Sequence, residues 1–205
     1  MKMEKITVGN EVNLIENALE KAGEFVALAG IEGKAAIHVN LLVEEVLGMV
    51  RAMVEDFSAK FWMETEEGEC RIYIDAIADV NRKKRKDLLS VSKSGKNVAK
   101  RGLMAKIGEF FEDCFGEYQE LEEMGVMDLS YMYTAGISGN TSVNMGYTTW
   151  SLSRYRTTIS EDAPTKEDAK EAWDELEKSI VANIADDVIV GIKDDRITLT
   201  VIKKI

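Results

Sequence analysis

One long stretch in the first third of the chain has apolar residues at every third or fourth position. These residues are Val39, Leu42, Val43, Val46, Val50, Met53, Val54 and Phe57. Because an α-helix turns once in about 3.6 residues, this spacing places them along one side of a helix. The pattern predicts an amphipathic helix that begins at Glu32–Lys34, runs to about Asp56, and needs an apolar partner surface to cover its stripe.

The rest of the chain alternates between helical and strand patterns. Strand patterns lie at 5–8, 60–65, 70–76, 127–133, 143–149, 188–192 and 197–202. The second and third predict a hairpin around an acidic turn, the fourth and fifth a hairpin with a wide turn at 136–141, and the last two a closing hairpin. Further helices are predicted from the N-cap Asn10 to Gly30, from Gly102 onwards, and over 165–184 after Pro164.

Long helices interleaved with hairpins are typical of α+β proteins. We therefore expect a two-layer sandwich over 1–205, a single domain in which a mixed, mainly antiparallel sheet carries helices on one face. The segment from Asn81 to Arg101 stands apart, since it holds nine Lys or Arg residues and one acid, Asp87. Its composition predicts a mobile loop.

The overall charge limits the possible partners. There are 26 Lys and Arg residues against 37 Asp and Glu residues, a formal net charge of −11, which disfavours nucleic acid and anionic membranes. No apolar run approaches the roughly 18 residues of a membrane span, and no signal-peptide pattern is present. Cys70 and Cys114 are too few for a disulfide framework or a paired zinc site. We expect a cytoplasmic protein with reduced thiols and no metal site.

The candidate for chemistry on the long helix is Glu45, which lies beside the apolar stripe and shares a flank of the helix with Met49, four residues later. A strand, a helix ending in Ala29-Gly30-Ile31, and a second helix with Val43-Glu44-Glu45-Val46-Leu47 together resemble the start of the GHKL (histidine-kinase-like) ATPase fold. The pattern is closest to the bacterial anti-sigma-factor serine kinases. In that family the second helix carries a Glu followed four residues later by an Asn.

The resemblance implies a nucleotide site. Asp75 looks like the strand-end aspartate that contacts adenine, the basic loop occupies the place of the ATP lid, and Lys100–Met104 resembles a remnant of the Gly-rich phosphate motif. The implied nucleotide-binding residues are Asp75, Lys93, Lys96, Lys100, Arg101 and Gly102. Backbone N–H groups at the start of the Gly102 helix would also favour an anion. Residues 1–115 and 186–205 would form the GHKL-like core, with 116–185 as an insertion or altered half.

Two departures from the family pattern change the predicted function. Met49 stands where the family has the Asn that helps to hold Mg²⁺, and a thioether is a poor ligand for this hard cation. The two glycines that follow the family's aspartate are missing after Asp75. We therefore expect a regulatory signalling module that binds a protein partner, is gated by ATP, another nucleotide or another anion at the basic 81–101 loop, and lacks Mg-dependent catalysis. The alternatives are an active ATPase or serine/threonine kinase that uses Glu45 as the catalytic base, and a structural or homo-oligomeric protein without a ligand.

Each candidate also has an ordinary structural explanation. Glu45 is compatible with a surface position on an amphipathic helix, Asp75 with a turn cap, and the basic loop with a solvated segment. A dense aromatic group consists of Tyr131, Tyr133, Tyr147, Trp150 and Tyr155. It predicts a core layer or, if exposed, a partner surface.

Overall fold

The computed structural model describes residues 1–53, 58–77, 107, 141–144, 147–162, 167–177, 179–193 and 196–205. The strands within these residues are β1 (Ile6–Gly9), β2 (Ser58–Glu66), β3 (Glu69–Ile77), β4 (Thr141–Asn144), β5 (Tyr147–Ser151), β6 (Asp187–Lys193) and β7 (Arg196–Lys204). The helices are α1 (Val12–Leu28), α2 (Gly33–Met53), α3 (Leu152–Asp162), α4 (Glu167–Glu177) and α5 (Ile180–Ile184).

The seven strands form one sheet in the order β1-β2-β3-β7-β6-β5-β4. Every neighbouring pair among these strands is antiparallel. The predicted α+β class is confirmed, whereas the prediction of a mixed sheet is wrong for the described strands. The closing hairpin β6–β7 does not stand alone, since β7 pairs with β3 along the whole length of that strand.

The two faces of this sheet differ because side chains of a strand alternate between them. On the covered face, Phe61, Ile74 and Leu199 lie side by side on β2, β3 and β7 and join a single core with buried residues of the helices. The open face carries Lys60, Trp62, Tyr73, Asp75 and Thr200, and no helix of the described residues contributes to a core there.

The helix and hairpin boundaries follow from local chemistry. α1 ends just before Gly30, whose φ of 67° is easy for glycine and unfavourable for other residues. The prediction of Asn10 as the N-cap is wrong: Glu11 occupies that position without a side-chain cap bond. The acidic turn between β2 and β3 places Glu67 and Gly68 at φ values of 50° and 79°, as two-residue hairpin turns with matching twist require.

Two predicted elements need correction in the second half of the chain. The single strand expected over 143–149 is wrong, because Asn144 pairs with Tyr147 and this stretch holds both arms of a tight hairpin. The helix expected through 184 is interrupted, because the Ser179 hydroxyl accepts a hydrogen bond from Ala182 N at 3.2 Å and starts α5 as a new helix.

The structure adds one helix that the sequence did not suggest. α3 begins directly after β5, and Asp187 of β6 accepts hydrogen bonds from the Ser153 backbone N–H at 2.9 Å and hydroxyl at 2.8 Å. The residue that satisfies the start of this helix is thus 34 positions away in the chain. β4 and β5 extend the same sheet beyond β6, so these parts of 116–185 share the sheet of the core.

Several predictions concern residues outside the described ranges. They include the mobile loop over 81–101, the strand at 127–133 and Cys114. Of the helix expected after Gly102, Ile107 alone is described; it is helical and buried in the core. Trp150 and Tyr155 are buried, with ring centroids 6.0 Å apart, which supports a core layer for these two aromatics. Within the described helices, none is long and apolar enough to cross a membrane.

Candidate functional site

α2 presents Glu45 and Met49 at the edge of the core. Four residues of α2 are buried against the sheet layer: Leu42, Val43, Val46 and Leu47. Their burial fixes the rotation of the helix. Glu45 is half-buried and its neighbour Glu44 is exposed. Met49, one helical turn beyond Glu45, is half-buried and packs against the core. The apolar stripe therefore determines where both side chains lie.

The donor atoms at this position decide which ligands it suits. Mg²⁺ prefers oxygen ligands in near-octahedral geometry, whereas the thioether of Met49 is a soft sulfur. The contacts of Met49 are with apolar core residues. In the parts of the chain that the structure describes, no group of three His, Cys, Asp or Glu side chains could hold a metal ion.

Asp75 lies on β3, opposite Lys60 of β2 and Thr198 of β7. Its side chain is 15% exposed, and Oδ1 lies 3.3 Å from Nε of Arg196. Among the described residues, the buried Oδ1 has no hydrogen-bond partner, so its contact with Arg196 is an ion pair without hydrogen-bond geometry. Lys60, directly opposite, donates instead to the Thr7 hydroxyl at 2.8 Å. Arg196 thus balances the charge of the carboxylate without a directed hydrogen bond to Oδ1.

Glu45 and Asp75 do not share a site in the described structure. Asp75 alternates with Ile74, which is buried on the covered face, so Asp75 belongs to the open face, whereas α2 packs on the covered face. The contact of Asp75 with adenine stays a prediction. So do the roles of Lys93, Lys96, Lys100, Arg101 and Gly102, which lie outside the described residues.

The open face contains a stack that sequence reasoning missed. Trp62 and Tyr73 are cross-strand neighbours whose ring centroids are 4.8 Å apart, with planes inclined by 8°. The Lys5 ammonium lies 3.8 Å from the centroid of the Trp62 ring, a cation–π contact. Strand alternation could have placed Trp62 and Tyr73 on one face, but only the hairpin register makes them direct neighbours.

A shift in pairing brings Lys5 to this stack. Lys2 is opposite Glu64 and Ile6 is opposite Phe61, so three residues of the N-terminal segment lie against two residues of β2. This extra residue is a β-bulge, a feature typical of edge strands. Because of it, both Met3 and Ile6 pack against the core while Lys5 lies over Trp62.

Charged groups beside the stack are paired within the chain. Glu64 accepts hydrogen bonds from Trp62 Nε1 at 2.9 Å and from Lys2 Nζ at 2.7 Å. The bond from Lys2 holds the pKa of Glu64 below its ordinary value. Arg71 donates to Glu69 from Nε at 3.2 Å and from Nη2 at 2.8 Å. Glu64 is thus stabilised as an anion, which does not favour a role as a proton donor near neutral pH.

A small cleft lies between α3, α4 and α5. Its lining residues are Arg156, Trp173, Leu176, Glu177, Ala182 and Asn183. Arg156 donates to the Ala182 carbonyl, Trp173 Nε1 to Glu177 Oε1 at 2.9 Å, and Asn183 Nδ2 to the Glu177 carbonyl at 2.6 Å. The bonds of Arg156 and Asn183 join α5 to α3 and to α4, whereas the Trp173 bond lies within α4. These polar groups of the cleft thus have a structural function.

The buried cysteine does not add a nucleophile. Cys70 is fully buried on the covered face, and burial raises the pKa of its thiol to about 12. Because the thiolate is the reactive form, Cys70 is an inert core residue at neutral pH.

Comparisons of the sequence with protein-family models, with curated proteins and with solved structures gave no significant match.

Proposed function

We propose that this protein is a regulatory binding module of the GHKL type that acts on a protein partner, responds to ATP or a related nucleotide, and lacks Mg-dependent turnover. The observation that carries the proposal is the position of Met49. Its side chain packs against the core, one turn after a half-buried Glu45, where the GHKL pattern requires an amide oxygen for the metal.

The described elements follow the order that the resemblance implies. A strand is followed by two helices on one side of the sheet and by the β2–β3 hairpin. The C-terminal hairpin β6–β7 then joins the sheet next to β3, which is consistent with the final strands that the resemblance implies. These features are compatible with the GHKL-like core that the resemblance implies.

The chemistry of Met49 favours regulation over catalysis. An enzyme that transfers a phosphoryl group from a nucleoside triphosphate uses a divalent ion to neutralise charge that develops on the phosphates. Replacing an amide oxygen by a thioether removes one oxygen ligand and adds apolar surface at the same place. A nucleotide bound without its metal can still shift the protein towards the state that binds the partner. Such a shift requires only that the nucleotide bind this state more tightly than the other state, and it requires no turnover.

An active ATPase or serine/threonine kinase is the second candidate, and Glu45 favours it. The carboxylate is retained on the flank of α2 and is half-buried, so it is available as a general base if a metal–nucleotide complex were bound nearby. In this function, water or another side chain would supply the oxygen ligand that Met49 does not provide.

Isothermal titration with ATP, with and without Mg²⁺, separates these functions. We expect ATP to bind with an affinity that does not rise when Mg²⁺ is added, and we expect no release of ADP over hours. Mg²⁺-enhanced binding followed by ADP release would overturn the proposal in favour of the ATPase or kinase. Absence of any nucleotide binding would favour a structural or oligomerisation protein.

Met49 can be tested directly with a matched pair of variants. Met49→Asn restores the amide oxygen and should raise the affinity for Mg-ATP if the alignment with the GHKL pattern is right. Met49→Leu preserves an apolar side chain of similar size and should leave nucleotide affinity unchanged. Equal behaviour of the two variants, with both folded by circular dichroism, would contradict the assigned position of Met49.

The predicted phosphate residues form a second test. Replacing Lys96, Lys100 and Arg101 together by Ala should weaken ATP binding by roughly 1 kcal/mol or more for each direct phosphate contact that is lost. Lys83, Lys84 and Arg85 provide a control with the same change of charge in the same basic segment. If the control triple variant weakens binding equally, the effect is due to general charge and not to a phosphate site.

A further inference from the structure

We draw no further inference here: the strongest candidate, the open face of the sheet around the Lys5–Trp62–Tyr73 stack, carries no proposal because Glu64, Glu69 and Asp75 beside it are already paired with cations of this chain and nothing in the structure shows what covers this face.

Discussion

The covered and open faces of the sheet are built from the same strands but are stabilised in different ways. On the covered face, residues such as Phe61 and Ile72 are fully buried, and none of the described polar or charged residues is buried. On the open face, half-buried Trp62 and Tyr73 stack on each other and are bordered by ion pairs. The covered face is thus held by non-directional apolar burial and the open face by pairs of defined geometry.

This difference also separates the candidate functional groups. Glu45 and Met49 belong to the helix layer over the covered face, whereas Asp75 lies among the ion pairs of the open face. A sheet is one layer thick, so Glu45 and Asp75 lie on opposite sides of it, and Asp75 stands two residues before the end of β3. For the proposed nucleotide site, a contribution of Asp75 therefore needs a test that is separate from the tests of Met49.

The largest expected effect is the loss of a fully buried aromatic ring. Phe61→Ala should reduce the free energy of unfolding by about 3–5 kcal/mol, because it removes apolar contacts and leaves a cavity. Trp62→Ala, the next residue on the same strand, should cost clearly less because its ring is half-buried. Urea denaturation followed by circular dichroism measures both.

Two milder substitutions provide the same comparison if the Phe61→Ala variant does not fold. Ile72→Val on the covered face should cost about 0.5–1.5 kcal/mol, while Ile202→Val on the open face should cost little. Equal losses at Ile72 and Ile202 would show that the open face is buried as deeply as the covered face in solution.

The next effect concerns a carboxylate immediately before β6. Asp186 accepts from Lys203 Nζ at 2.8 Å and from the Lys204 backbone N–H at 2.7 Å. Burial alone would raise the pKa of Asp186, but these donors outweigh it and lower the pKa below its ordinary value. Asp186→Asn should cost about 1–2 kcal/mol at pH 7, the lower part of the range for charged hydrogen bonds because the carboxylate is partly exposed.

The pH dependence of this effect has a definite sign. A carboxyl whose pKa is lowered by folding stabilises the native state above its unfolded pKa and loses this contribution as the pH falls through the folded pKa. The difference in unfolding free energy between wild type and Asp186→Asn should therefore shrink below about pH 4. Lys2→Ala tests the open-face ion pair with Glu64 in the same way and should show a smaller change, since Lys2 is 62% exposed. A larger change for Lys2 would reverse the comparison of the two sites.

A double-mutant cycle measures the geometry of the open face. Trp62→Ala, Tyr73→Ala and the double variant should give a coupling energy of about 0.5–1.5 kcal/mol, the range for stacked aromatic pairs. The matched cycle pairs Trp62 with Thr200, which lies one strand further along the same row, and should show almost no coupling. Additive effects for Trp62 and Tyr73 would mean that the stack does not persist in solution.

The smallest effect tests the outward side of α2. Gly48 is exposed, and a Cβ at this position would meet nothing within 4 Å, so Gly48→Ala should stabilise the protein by about 0.4–1 kcal/mol. Gly68→Ala is the contrasting variant and should destabilise, because Gly68 has a φ of 79°. Thermal melts of both variants check the signs; a loss of stability for Gly48→Ala would mean that this side of α2 packs against another part of the molecule.

The predictions made from the sequence succeeded where the deciding contacts are local. α1, α2 and the two hairpins β2–β3 and β6–β7 follow from periodicity, glycine positions and turn residues, all within a few positions of one another. α3 was missed because its first turn is satisfied by Asp187, which is distant in the sequence. The break at Ser179 was missed because the apolar spacing continues through it, while the capping bond of Ser179 starts a new helix.

The candidate site shows the same limit. Glu45 and Met49 were located correctly on one flank of a helix, because their relation depends only on a spacing of four residues. The face on which Asp75 lies depends on the register of β3 with its neighbouring strands. A shift of this register by one residue would move the side chain of Asp75 to the other face. The Lys5–Trp62–Tyr73 stack depends further on the bulge before β1, which no local pattern indicated.

The chain by itself therefore determined the types of its main elements, the apolar side of α2 and the residue chemistry at Glu45 and Met49. Only the tertiary structure decided the order of the strands, the pairing of β7 with β3, the addition of β4 and β5, and the separation of Glu45 from Asp75 by the sheet. The physical reason is that periodicity is a property of neighbouring residues. The register of the strands, and the face of the sheet on which each side chain lies, are set by hydrogen bonds and packing between segments far apart in the chain.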